Sequence, residues 1–428
     1  MIGRHDHDQG NPMTRTSEVT PLPQPFGQDF ETDPHAVYTR LREEGSVHRV
    51  ALPDGSPVWL VTREADVRSG LADSRLSVNK RHSGAGFKGF SLPPALDENL
   101  LNIDAEDHLR LRRLVSQGFT PRHVEGLRDS LQSAIDALLD RVVEQIDRDG
   151  RADVVAEFAK PLPLQVIGDL FVVPQVEQER FSGWVATMLA PSGHESLRDA
   201  IGQIHRYLVD LVARRRSDPG DDILSGLIAA RDAEDRLTEN ELVSLAFLTL
   251  MAGSENVQHM ISNGLFTLLT HPDQLAALRS HPELLPQAVE ELFRYAHPNQ
   301  TAIRRFATEE MEIGGVGIPA GDTVLFLLAS AHRDPARYAA AEEFDITRPD
   351  QGHLALGHGL HYCLGAPLAR MQITLALAAL LRRLPGLRLA APAEQLAWTT
   401  TFRFHALREL PVMAGPEGPG RFGSAADA

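Results

Sequence analysis

The alternation of apolar and polar positions along the chain predicts a mostly helical protein with a few short strands. Pro34 to Glu44 reads as a helix, with Pro in its first turn and Gly45 past its end. Two β-type runs, 47–52 and 57–62, flank Pro53-Asp54-Gly55-Ser56 and predict a hairpin. Helical spacing then covers 63–71, 107–119, 121–149 and 155–171, each as one run. A further pair, 175–189 and 194–216, brackets the breaker Ala190-Pro191-Ser192-Gly193. Thr238-Glu239-Asn240-Glu241 is a capping box, and the apolar pattern runs on from it to about residue 270. About 32 residues at ~1.5 Å each give a helix of roughly 48 Å, apolar on nearly every side and therefore buried. Inside it lies Ala252-Gly253-Ser254-Glu255-Asn256, a glycine and polar cluster that costs a buried helix stability and needs a reason. Strands are predicted from residue 303, as a hairpin over 312–322, and over 398–404.

Composition narrows the setting. A length of 428 residues alone suggests two or three domains, and 43% hydrophobic residues supply a full core. A formal charge of -16 suits a soluble protein and argues against a nucleic-acid partner. One cysteine excludes an internal disulfide and fits a reducing cytoplasm. Residues 1–24 are polar, with no apolar run long enough for a signal peptide or membrane anchor. They and the tail 414–428 read as poorly ordered.

Three groups of residues carry candidate chemistry. His108 and Arg112 are four apart on one helix face beside Leu111, Leu114 and Val115, a cationic pair next to core that suits buried carboxylates. Arg110 and Arg113 point elsewhere, either solvated or available to an acidic electron donor. Glu291 and Arg294 share a helix face. The only cysteine, Cys363, sits in a glycine-rich turn that leads into an apolar-periodic helix beginning near it, where the helix N-terminus favours the thiolate. It is a candidate ligand or nucleophile. A small buried hydrophobe is one alternative, and a zinc cluster with His353, His358 and His361 another, although its spacing matches no common zinc pattern.

The pattern Gly357-x-Gly359-x-His361-x-Cys363-x-Gly365-x-x-x-Ala369 resembles the haem-ligand loop of cytochromes P450, with Leu356 where the family usually has Phe. The resemblance extends from about Phe26 to Val412. It implies a mainly α fold with a smaller β region, a triangular prism with haem b between the long distal helix and the Cys-loop helix, and one domain over 25–413. It makes Cys363 the thiolate ligand of iron, which favours O–O cleavage. Propionate ligands fall on His108, Arg112, His361 and, through Arg305-Phe306-Ala307, on Arg305 and not Arg304. Ala252 to Asn256 matches the distal oxygen-binding kink, with Glu255 as the proton-relaying acid and Asn256 in place of the usual Thr. Asn256 is expected to organise a water that delivers protons, the alternative being a simple bond to a helix carbonyl. Glu291, Arg294 and Arg348 match a buried structural triad.

For the substrate pocket the resemblance implies Phe87 and Phe90 in the 80–94 loop, Met188, Leu248, Ala252, Gly253, Asn299, Thr301, Thr400 and Thr401, with His297 and Gln300 beside them. The implied activity is a monooxygenase that inserts one oxygen atom of O2 into a C–H or C=C bond of a bulky, mostly apolar small molecule such as a polyketide or macrolide. Oxidative coupling, desaturation or peroxide-driven oxidation is the alternative, and a haem carrier without turnover a more distant one. No nicotinamide- or flavin-binding domain is fused to the chain, so electrons are expected from a ferredoxin and its ferredoxin reductase. A cytoplasmic monomer is the usual condition of such proteins.

Overall fold

A computed structural model of the chain describes residues 21–84, 92–189, 193–220, 222–232, 237–350 and 352–415. Helices dominate, and a five-stranded sheet stands to one side of them. Its strand order is Val47–Ala51, Pro57–Val61, Thr323–Phe326, Arg305–Ala307 and Leu76–Ser77. The first two form the predicted hairpin, with Gly55 at φ +80° in its turn. Pro57–Val61 pairs parallel with Thr323–Phe326, and the remaining pairs are antiparallel. Alternate residues such as Leu60 and Leu325 pack beneath the sheet with Phe30 and Tyr38. A much larger apolar cluster joins the helices, running through Ile135, Phe158, Phe247, Leu265, Leu292 and Leu377.

Several predicted runs break where the backbone demands it. The 121–149 run is two helices, Pro121–Gly126 and Arg128–Asp149, the first capped by the Thr120 hydroxyl, which accepts from His123 N–H. The 155–171 run opens as a wider π-type turn, Val155–Ala159, and becomes α-helical at Pro161–Phe171, because Pro161 has no N–H to continue a ladder. The 107–119 run is a helix over Ala105–Val115 closed by a 3₁₀ turn, Ser116–Phe119. The long apolar run is likewise not one rod. It is Glu239–Ala252 and Glu255–Thr270, with a turn at Gly253 and Ser254 between them. The predicted capping box is present, Thr238 and Glu241 each accepting the other's backbone N–H.

The Cys-loop helix spans Ala366–Arg383 and packs on the second half of the distal helix and on Leu285–Tyr295. These contacts leave a slot between Cys363 and the distal turn. Among the described residues no helix is long and apolar enough to cross a membrane.

Candidate active site

Glycine geometry shapes the cysteine loop. Gly357 and Gly359 take φ +78° and +70°, and a Cβ on Gly359 would lie 3.1 Å from Ala72 Cα. Cys363 N–H donates to Leu356 O at 2.8 Å and Tyr362 N–H to Gly359 O at 3.1 Å, which closes the loop. The sulfur faces a cavity of about 660 Å³. Here the structure corrects the expected helix boundary: the helix starts at Ala366, so Cys363 stands ahead of it. Burial pushes the thiol above its ordinary value, and the Gly365 amide, Arg112 and Arg370 offset this only in part. A cation at the sulfur is what this site needs to hold a thiolate. His353 is engaged by Glu290 at 3.1 Å and His361 Nδ1 lies 3.2 Å from Leu100 O. Among the described residues no group of three or more His, Cys, Asp or Glu side chains is placed to bind a metal, so the zinc-cluster reading does not fit.

His108, Arg112, Arg305 and His361 line the same cavity. The rings of His108 and His361 have centroids 4.4 Å apart. Burial, with Arg112 and Arg305 nearby, pulls His108 down to about 4, and burial, Arg305 and His108 pull His361 down to about 3. Burial also lowers Arg305, to about 10. His108 Nδ1 and Arg305 Nη1 are buried without a hydrogen-bond partner. Among the described residues no carboxylate lies within ion-pair distance of Arg112 or Arg305. Buried cationic donors without an anion fit a ligand that brings its own carboxylates, and with a thiol on the same cavity they fit a haem and its propionates. Arg110, by contrast, is tied to Glu241 and Asp107.

The distal wall follows from the helix break. A Cβ on Gly253 would lie 2.3 Å from Ile167 Cδ1, so the Pro161–Phe171 helix packs close here and a larger residue would have to displace the Ile167 side chain. Leu248, Ala252, Gly253, Asn256, His297, Asn299 and Thr301 all line the cavity. The Asn256 side chain makes no hydrogen bond to a helix carbonyl, and its Oδ1 is buried without a partner. Glu255 turns aside, with Oε1 4.0 Å from His259 Nε2, and burial raises its carboxyl. The ring of His259 packs on Phe404, which is a cavity residue.

Other pocket expectations are corrected. Met188 is buried in the helical core and does not reach the cavity. Thr400 Oγ1 lies 3.0 Å from His405 Nδ1, and Thr401 Oγ1 accepts from the amides of Arg403 and Phe404. Both threonines are occupied by their own turn, and Phe402, Arg403 and Phe404 face the cavity instead. Gln300 turns into the protein and donates to Pro298 O. Phe87, Phe90 and the 190–192 breaker lie outside the described residues.

Behind the cysteine loop, the Glu291 carboxylate accepts from Arg294 at 2.7 and 2.8 Å and from Arg348 at 3.1 Å. The remaining guanidinium N–H groups donate to carbonyls of His332, Ala339, Ala340, Ala341 and Glu343. Glu290, next in the helix, holds Arg370 of the Cys-loop helix at 2.6 and 2.8 Å. Against burial, Arg370 and His353 hold Glu290 down to about 2. This pair is 80 positions apart and only the three-dimensional fold reveals it.

A glycine-shaped thiol loop facing a kinked helix across a slot lined with cations defines a haem-thiolate protein. The sequence profile described as "Cytochrome P450" matches residues 181–385. The chain is 42% identical over 407 residues to cytochrome P450 monooxygenase PikC of Streptomyces venezuelae, covering 94% of this chain and 97% of that one. It is 39% identical over 406 residues to 6-deoxyerythronolide B hydroxylase of Saccharopolyspora erythraea, covering 92% and 99%. The tirandamycin C-bound P450 monooxygenase TamI superposes with a TM-score of 0.84 at 41% identity, covering 92% of this chain and 100% of that one. The chain belongs to the cytochrome P450 family and is a monooxygenase, with a haem-iron cofactor, O2, an organic substrate and redox partners.

Proposed function

We propose that this enzyme hydroxylates or epoxidises a bulky, mostly apolar secondary metabolite of the polyketide or macrolide kind, on haem b ligated by Cys363. The observation that carries the reading is one continuous cavity with Cys363 on one side and Asn256 on the other, between which a flat cofactor and a guest share space. When bound, the haem activates O2 with two electrons and two protons, so that one oxygen atom enters the substrate and the other leaves as water.

The protein's own residues do the rest. His108, Arg112, Arg305 and His361 would hold the propionates. Leu248, Ala252, Asn299 and Thr301 shape the guest's space, mostly with carbon. The Asn256 amide would bind a water through its unpartnered Oδ1, and its N–H groups can donate in turn. Glu255, with its raised carboxyl and His259 beside it, takes protons from solvent and passes them toward that water. Electrons come from a ferredoxin and its reductase, and the enzyme works as a cytoplasmic monomer.

The test is the optical spectrum of purified protein reduced under carbon monoxide. The haem-thiolate band is expected in the native chain and absent in Cys363→Ala. A native chain without that band after expression with ample haem precursor overturns the reading.

A further inference from the structure

Two buried side-chain atoms of the second distal helix, Glu255–Thr270, lack a hydrogen-bond partner among the described residues: Asn256 Oδ1 and His259 Nδ1. They stand three positions apart, and Glu255 stands four before His259. Helix neighbours at either spacing have Cβ atoms about 5–6 Å apart, so His259 lies one turn beyond Glu255 and Asn256 and within reach of both.

The ring is held in place. Asn263, one further turn along, donates to His405 O at 3.0 Å and accepts from Leu407 N–H at 3.3 Å, which pins this helix face on the strand His405–Leu407. His259 packs beside that seam, its ring centroid 6.2 Å from that of Phe404, a cavity residue. Its other nitrogen, Nε2, lies 4.0 Å from Glu255 Oε1, a gap that rotation of the carboxyl can close. The Glu255 side chain is 43% exposed and the His259 side chain 15%, so the carboxyl meets solvent and the ring lies inward of it. Burial raises Glu255 and pulls His259 down to about 4, which narrows the ordinary difference in acid strength between them. The ring therefore rests neutral at pH 7, with one nitrogen to accept and one to donate.

We propose that His259 is the middle member of the proton route: its Nδ1 and Asn256 Oδ1 hold one water between them, and its Nε2 takes up the proton that Glu255 brings from solvent. This deepens the proton role given above to Glu255 and Asn256 and rests on it. In each transfer Glu255 loses a proton to Nε2 as Nδ1 releases its own to the water, so no net proton stays on the ring. The partly exposed ring regains its Nδ1–H form by exchange with solvent, and the carboxylate is reprotonated from outside. His259 is thus a positioning residue, which acts through the water and touches neither guest nor cofactor.

Two measurements on the holoenzyme test this. A crystal structure should show one ordered water within about 3.2 Å of both Asn256 Oδ1 and His259 Nδ1, absent in His259→Phe. Oxidation of guaiacol driven by hydrogen peroxide is then compared with the same oxidation driven by 3-chloroperbenzoate. Hydrogen peroxide sheds hydroxide and needs a delivered proton, whereas the peracid sheds a carboxylate that is stable without one. The ratio of the two rates, peroxide over peracid, should fall about tenfold in His259→Phe. His259→Asn, whose amide reaches the Nδ1 position but passes no proton, should keep the water and lose the ratio as well. A native structure with no water shared by the two atoms, or a ratio that holds in either variant, overturns the proposal. The carbon monoxide spectrum of the same preparations reads the haem-thiolate assignment separately: a native chain without the band breaks that reading, whereas the band with an unshared water breaks only the relay.

Discussion

On the cysteine side of the cavity the Glu291 carboxylate is held by two arginines, whose other donors end on backbone carbonyls. On the Asn256 side a helix is interrupted, and an amide oxygen is buried with no partner. The first region resembles a finished core, because every charge in it is answered by protein. The second, together with the buried donors of His108 and Arg305, has polar atoms that no protein group answers. The contrast is between the Glu291 cluster, whose charges are answered by protein, and the Asn256, His108 and Arg305 atoms on the cavity wall, which are not.

Removing one member of the answered set gives the largest effect. Glu291→Gln leaves two buried guanidinium groups without their anion and should cost about 3–5 kcal/mol, read as a lower denaturant midpoint. A cost below about 1 kcal/mol would put the triad outside the scaffold. On the distal side, Gly253→Ala places a Cβ 2.3 Å from Ile167 Cδ1. The expected loss is about 1–3 kcal/mol, partly recovered by adding Ile167→Val, and no recovery would mean that the turn itself, not the contact, requires glycine.

Acid sharpens the comparison. His332 is fully buried on the scaffold side, where burial first and then the neighbouring His353, His297, Arg294 and Arg333 lower it well below its ordinary 6.5, and its Nε2 accepts from Leu354 N–H. The folded group stays neutral while the unfolded chain takes up a proton below pH 6.5, so stability is lost as pH falls through that value. His332→Asn keeps an acceptor and removes the titration. Its stability should fall less steeply between about pH 7 and pH 5, by up to about 1.4 kcal/mol per pH unit. Equal slopes in the two proteins would show that His332 already protonates in the fold. The smallest structural effect belongs to Asn256→Thr, which should leave the unfolding midpoint in place and change the ratio of peroxide released to product formed. An unchanged ratio would remove Asn256 from proton delivery.

What the sequence reveals and what it hides divide along the same line. The cysteine loop is legible because Gly357 and Gly359 have positive φ, a local demand written in local residues. His108 and Arg112 are legible because four-residue spacing shares a helix face. The distal run looks continuous because hydrophobicity does not record that Ile167, 86 positions before Gly253, presses against it. Thr400 and Thr401 look like pocket residues because strand alternation cannot foresee the Thr401 hydroxyl folding back on its own turn and exposing Arg403. Met188 fails for a related reason: an amphipathic helix declares a buried face without declaring what buries it.

The solitary cysteine has one more use. A chain with a single thiol, placed on the wall of the cofactor slot, is its own gauge of loading. Metal-bound sulfur does not alkylate, whereas apoprotein sulfur gains one adduct in mass. If Cys363 ligates the iron, as proposed, the fraction left unlabelled after alkylation in denaturant-free buffer is an upper bound on the fraction of molecules that carry haem, because burial also slows the free thiol, and no second thiol confuses the count.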